Sequence, residues 1–162
     1  MKTNVYLNIG SNSGDRQRFL DAAVAAILEL DIFSGAHCET SDAIETEPWG
    51  FESTQLFLNI GVKLTYEHDG EWNSTELEAL LDAIQSVEKR LSATAHRNQD
   101  GTYRDREVDI DIIAVDNIEY ESQRLCIPHR QMCSRYFVLK PMSILAPEWR
   151  HPKTNLTAGQ ML

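Results

Sequence analysis

Apolar positions along the chain change period several times, and each change marks an element. Val5 to Ile9 reads as a strand, closed by the turn cluster Gly10-Ser11-Asn12-Ser13-Gly14. From Asp15 to about Leu30, the residues Phe19, Ala22, Ala23, Ala26, Ile27 and Leu30 recur at helical intervals, which predicts an amphipathic helix. A strand is expected around His37 to Ile44. Another runs from Leu56 to Thr65, alternating in its second half. Thr75 to Leu91 carries a continuous helical stripe of Leu77, Leu80, Leu81, Ile84, Val87 and Leu91. Thr75 is the expected N-cap, with Glu78 completing a capping box. Ser92 to Arg106 is polar and rich in Asn, Gln, Asp and Gly, the composition of a long loop, and such loops in compact domains are usually functional or disordered. Val108 to Val115 follows as a strand, Asp116-Asn117 as a turn, and Ile118 to Tyr120 as a short returning strand. The final third is expected to hold short helical pieces punctuated by Pro128, Pro141, Pro147 and Pro152. The order βαββαβ with an irregular C-terminal extension predicts an α+β sandwich of the ferredoxin-like type on a mainly antiparallel sheet.

Length and charge narrow the function classes. The 162 residues suit one domain, 1–162, large enough to bury a core without a metal or disulfide staple. Cys38, Cys126 and Cys133 are too few and too scattered for a disulfide framework or a thiolate zinc site, so a reducing, cytoplasmic setting is expected. The apolar start is broken by Asn8 and Gly10, which argues against a signal peptide. No stretch approaches the roughly 20 apolar residues needed to cross a bilayer. The formal net charge is −10, from 15 basic and 25 acidic residues. Nucleic acid and anionic membranes are attracted by the opposite sign, so neither is an expected partner. A small anionic ligand stays open wherever arginines or a divalent metal gather locally.

Such a gathering exists. In Asp109-Ile110-Asp111 the two carboxylates share one face of a strand, while Ile110 and Ile112 face the other way. Carboxylates that close repel unless a proton or a cation lies between them, and oxygen donors suit Mg²⁺. A plain solvated strand face is the competing reading. Arg104 and Arg106 lie just upstream, and Arg124, His129, Arg130 and Arg135 follow within twelve positions. Guanidinium groups beside paired carboxylates suit a phosphate chain bridged by metal. Surface ion pairs of little energetic weight would give the same residues, and His129 would equally serve as a structural histidine. Glu45-Thr46-Glu47-Pro48-Trp49-Gly50-Phe51, with Phe57-Leu58-Asn59, offers aromatics for a flat heterocycle and an amide for its edge, or else simply a core. Gly10 to Asp15 lacks the Lys of a phosphate loop and reads as a turn rather than an anion nest.

Taken in order, the motifs resemble one family. Ile9-Gly10-Ser11-Asn12 with Gly14-Asp15, Glu45 through Gly50, Phe57-Leu58-Asn59, and Gln85 with Glu88 belong to the pattern. So do Asp105-Arg106 through Asp109-Ile110-Asp111-Ile112, Ile127-Pro128-His129 with Met132 and Arg135, and Ala146-Pro147. Together they resemble the 6-hydroxymethyl-7,8-dihydropterin pyrophosphokinases, from Asn4 to about Leu162. The resemblance implies a ferredoxin-like sandwich with long active-site loops. It implies transfer of diphosphate from ATP to the pterin hydroxymethyl group, releasing AMP, in folate biosynthesis. By the same resemblance Asp109 and Asp111 hold two Mg²⁺ ions, and Arg106 and Arg135 join them as catalytic groups. Phe57 and Phe137 sandwich the pterin, with Thr46, Trp49 and Asn59 around its edge. ATP is met by Gln85, Glu88, Arg106, Ile112, Arg124, His129, Arg130 and Arg135. The expected partners are these small molecules alone, and the expected state is a monomer.

The chain departs from the family pattern in one loop. Many members continue after the position of Glu88 with Leu-Gly-Arg-x-Arg, where this chain has Leu91-Ser92-Ala93-Thr94-Ala95. Both loop arginines are absent, with Arg97 and Arg104 as candidate substitutes. Tyr103 matches an aromatic on the next loop, and Cys126 a Thr-type position. Weakened clamping of the phosphates is the expected consequence. Two rival functions are weighed beside the pyrophosphokinase: a Mg²⁺-dependent phosphohydrolase, and a non-catalytic ferredoxin-like binding module.

Overall fold

The computed structural model describes residues 1–12, 14–46, 56–92 and 108–162. Among them the chain runs β1 (Lys2–Ser11), α1 (Arg16–Leu28), β2 (His37–Thr40), β3 (Ile44–Thr46), β4 (Phe57–Glu67), α2 (Ser74–Leu91) and β5 (Asp109–Val115). Then come β6 (Tyr120–Glu121), β7 (Cys126–Ile127), α3 (Tyr136–Leu145) and α4 (Ala158–Met161). The main sheet has the order β2-β4-β1-β5, with β3 added along β4, and every pairing is antiparallel. This is the ferredoxin-like arrangement, with its second strand split in two.

Residues paired across strands share a face, so the register sorts the side chains. Val5, Leu7 and Ile9 of β1, Ile60, Val62 and Leu64 of β4, and Ile110 and Ile112 of β5 enter one core. Helix α1 closes it with Leu20, Ala23 and Ile27, and α2 with Leu77, Leu80, Ile84 and Val87. Burying one such Leu or Ile stabilises the fold by about 1.5–3 kcal/mol. On the opposite face Tyr6, Ile113 and Ala114 meet Val138, Leu139 and Met142 of α3, together with Trp149. A register shift in β5, between the pairs Leu7–Ile112 and Tyr6–Ala114, accounts for two consecutive residues on that side. Helix α3 lies directly on β4: a Cβ built on Gly61 would sit 2.6 Å from Cβ of Pro141.

Several sequence expectations need correction. Strand β1 continues through Gly10 and Ser11, so Gly10 is a strand residue rather than the start of the turn. The N-cap of α2 is Asn73, not Thr75, and its capping box is completed by Glu76, not Glu78. Glu78 instead accepts from the hydroxyls of Tyr120 and Ser122 at 2.7 and 2.8 Å, bonds that hold its carboxyl below the usual range. The short strand after the Asp116–Asn117 turn pairs with β7, not with the main sheet. Pro141 lies inside α3 instead of bounding it. Among the described residues, no helix is long and apolar enough to cross a membrane.

Candidate active site

Beyond the start of α3, the register lines up polar and aromatic residues on the same sheet face. Thr46 pairs with Phe57. Ile44 pairs with Asn59, Asn59 with Gly10, and Gly10 with Asp109. Gly61 pairs with Asn8, and Asn8 with Asp111. Asn59 and Asp109 are thus two strand spacings apart, about 10 Å, with a residue lacking a side chain between them. That absence matters, because a Cβ on Gly10 would lie 2.8 Å from Asn59 Oδ1 and 3.4 Å from the Phe57 ring. Asn59 is buried, and its Nδ2 donates to Thr46 Oγ1 at 2.8 Å, which turns Oδ1 toward Gly10. Phe57 is also buried, yet it is in neither of the two clusters of core residues.

Asp109 and Asp111 project from β5, the edge strand, where alternation keeps Ile110 and Ile112 in the core. Glu88 of α2 reaches the same place and accepts from the Ile110 N–H at 2.7 Å. Burial pushes the Glu88 carboxyl up to about 8, and the charges of Asp109 and Asp111 push the same way. Both effects favour its protonated form, which lessens the repulsion among three converging carboxyls. His129 docks on the strand edge through its N–H, which donates to Ile113 O at 2.7 Å. Its Nδ1 accepts from Gln131 N, so the ring proton sits on Nε2, 3.9 Å from Asp111 Oδ1. Burial, and next the Arg135 charge, lower the basicity of His129. Arg135 Nη1 is 3.5 Å from Asp111 Oδ2, its Nη2 donates to Gln131 Oε1, and its Cζ lies 5.6 Å from the centre of the Phe137 ring.

Gln85, Glu88, Asp109, Asp111, Ile112, Arg124, His129 and Arg130 all line one open cavity of about 300 Å³. Ile112 does so from the core, where its side chain is buried. Arg124 is held by Asp82, by Glu78 at 3.5 Å and by Gln85 at 3.3 Å, and Arg130 by Glu121 at 2.7 Å. Both arginines are exposed, and exposed pairs of this kind are worth about 0–1 kcal/mol. They are easily exchanged for an anion. Trp49 and Arg106, like Ala93, Ala95, Arg97, Tyr103 and Arg104, lie outside the described residues. Sequence reasoning missed Asn8, Gly10 as a site residue, and Gln131. The available signal was Asn8, a lone amide interrupting the apolar run Val5 to Ile9.

The profile of the 7,8-dihydro-6-hydroxymethylpterin-pyrophosphokinase family matches residues 6–147. The chain belongs to that family. A relative from Porphyromonas gingivalis, named 2-amino-4-hydroxy-6-hydroxymethyldihydropteridine pyrophosphokinase, is 40% identical over 150 residues, covering 92% of this chain and 94% of its own. A relative of the same name from Bacillus subtilis is 28% identical over 160 residues, 99% of this chain and 88% of that one. Among solved structures, a crystal structure titled HPPK-DHPS in complex with substrates superposes with a TM-score of 0.63 at 13% identity. It covers 99% of this chain, which spans 43% of that one, and at such identity it speaks for the fold alone. This pyrophosphokinase is an ATP-dependent diphosphotransferase of folate synthesis: it moves diphosphate from ATP to the hydroxymethyl group of the pterin, leaving AMP. The phosphohydrolase and the non-catalytic module are not favoured.

Proposed function

We propose that the row Asn59–Gly10–Asp109 is the floor on which the two substrates of this pyrophosphokinase meet, the pterin over β4 and the triphosphate over β5. That row is the observation that carries the reading, because it sets a heterocycle-binding amide and a carboxylate pair side by side with nothing tall between them. Phe57 and Phe137 stack on the pterin ring, with Thr46, Asn59 and Trp49 at its edge. Gln85, Glu88, the Ile112 main chain, Arg106, Arg124, His129, Arg130 and Arg135 receive ATP. Arg124 and Arg130 exchange their carboxylate partners for phosphate oxygens, which suits the planar two-pronged guanidinium.

Asp109 and Asp111 are the positions for two Mg²⁺ ions. The donors fit a hard divalent cation: they are oxygen only and share a face of the edge strand. Among the described residues, no three His, Cys, Asp or Glu groups are placed to hold a metal by themselves, so phosphate oxygens and water would complete the shell. When bound, the ions neutralise charge on the transferring phosphate. The remaining work belongs to the chain. Transfer forms a bond from the hydroxymethyl oxygen to the β-phosphorus, releases the hydroxyl proton to water, and breaks the bond from that phosphorus to the oxygen left on AMP. This needs alignment and charge balance more than a covalent residue. Arg135 serves both halves, since it neutralises Asp111 and lies beside the Phe137 ring.

We take the enzyme to work as one domain, 1–162, as a monomer and in the cytoplasm, in keeping with its three free thiols. The deciding experiment is nucleotide analysis after incubation with ATP, Mg²⁺ and 6-hydroxymethyl-7,8-dihydropterin. Pterin-dependent AMP is expected, falling by at least about 100-fold in Asp109→Asn. ADP with free phosphate would overturn the site reading.

A further inference from the structure

Pro141 stands four residues after Phe137 inside α3. Proline has no N–H, so it cannot return a hydrogen bond to the carbonyl one turn earlier. The Phe137 carbonyl therefore lacks its regular α-helical donor. Asn8 supplies one from outside the helix: its Nδ2 donates to Phe137 O at 2.8 Å, joining positions 129 apart. Asn8 is only 4% exposed, so the bond forms away from bulk water, where leaving a polar group unpaired costs most. The surroundings pin the exchange in place. Pro141 is pressed against β4 at Gly61, and Gly61 is the registered neighbour of Asn8. On its other side Asn8 is in register with Asp111. One amide thus ties the first turn of α3 to the strand row that ends in a metal-binding position.

We infer that Asn8 is a positioning residue for the pterin, which takes over the hydrogen bond removed by Pro141 and so fixes Phe137 relative to Asp111. The inference rests on the reading that Phe137 stacks on the pterin. Asn8 acts only through the Phe137 main chain and the ring it carries. A carboxylate at this position would face the carbonyl with acceptors alone, and an alanine would leave it unpaired.

The test uses Asn8→Ala, Asn8→Asp, Pro141→Ala and the Asn8→Ala/Pro141→Ala pair, each with KM measured separately for pterin and ATP. Asn8→Ala is expected to raise the pterin KM about tenfold while the ATP KM moves less than about twofold, and Asn8→Asp to do worse. Pro141→Ala restores an N–H at the right place in the helix, so in the Asn8→Ala background it is expected to recover most of the loss. Equal changes in both KM values, or no recovery in the pair, would overturn the proposal. A wild-type enzyme that forms no AMP would sink the activity reading instead. Direct pterin binding to the same proteins then decides this one: weaker binding in Asn8→Ala that the second substitution repairs supports it, and equal affinities overturn it.

Discussion

Gly10 shows how much of this site is set by a missing side chain. The neighbouring amide of Asn59 is fixed by its bond to Thr46 Oγ1, and Oδ1 overhangs β1 at the place where any other residue would put a Cβ, 2.8 Å away. Alanine at position 10 must therefore push Asn59, Phe57 or both. Backbone strain is not the issue, because Gly10 lies within a regular strand. Gly10→Ala is expected to raise the pterin KM by roughly tenfold and to cost about 1–3 kcal/mol of stability through overpacking. Separate saturation curves for pterin and ATP, with urea unfolding of the same protein, check both parts. An unchanged pterin KM would mean that the amide does not meet the ring. This role was hidden in the sequence, where glycine followed by Ser-Asn-Ser-Gly reads as a turn. Only the register between β1, β4 and β5 sets Gly10 between Asn59 and Asp109.

At the scale of elements, α2 separates what periodicity can say from what it cannot. Its buried stripe of Leu77, Leu80, Ile84 and Val87 was legible, since a spacing of three and four places those side chains on one face whatever they pack against. Its start was not. Asn73 and Thr75 are both good caps, and each has a Glu three residues on, so local chemistry offers two capping boxes. Tertiary demand decides, because Glu78 is taken by Tyr120 and Ser122. Asn73→Ala is accordingly expected to cost about 1 kcal/mol in urea unfolding, and Thr75→Ala less than about 0.5 kcal/mol. The reverse order would restore the sequence-based cap. The paired aspartates of β5 were equally legible, since a period of two fixes their common face. The β6–β7 ribbon was not, because two-residue strands exist only through their partner. Helix α3 depends on contact in the same way: Gly61→Ala would set a Cβ 2.6 Å from Pro141, and a destabilisation of about 1–3 kcal/mol is expected in the same assay.

For the whole molecule the informative variable is pH, because the fold holds groups displaced in opposite directions. His129 is lowered by burial and then by the Arg135 charge, and His151 by burial and then by the Lys153 charge. Each binds its proton less readily in the native state than in the unfolded chain. Stability is therefore lost as pH falls below the ordinary imidazole value of about 6.5. Glu88 works the other way. It is pushed up to about 8, while an unfolded glutamate titrates near 4.5. Between those values the native state holds a proton that the unfolded chain has released, so stability falls as pH rises and the contribution is gone above about 8. The metal-free enzyme is thus expected to be most stable near pH 6.5 and to weaken toward pH 8. Glu88→Gln keeps the hydrogen-bonding side chain but has nothing to titrate, so its descending limb should be missing in urea unfolding with EDTA from pH 6.5 to 8. Parallel decline of the two proteins would show that Glu88 is not its source. Adding Mg²⁺ and nucleotide to the wild type should flatten the same limb, since cations held as proposed at Asp109 and Asp111 would remove the negative field that, next to burial, helps keep the Glu88 proton in place. A limb that disappears with either the substitution or the cation, and not further with both, places all three carboxyls in one electrostatic unit.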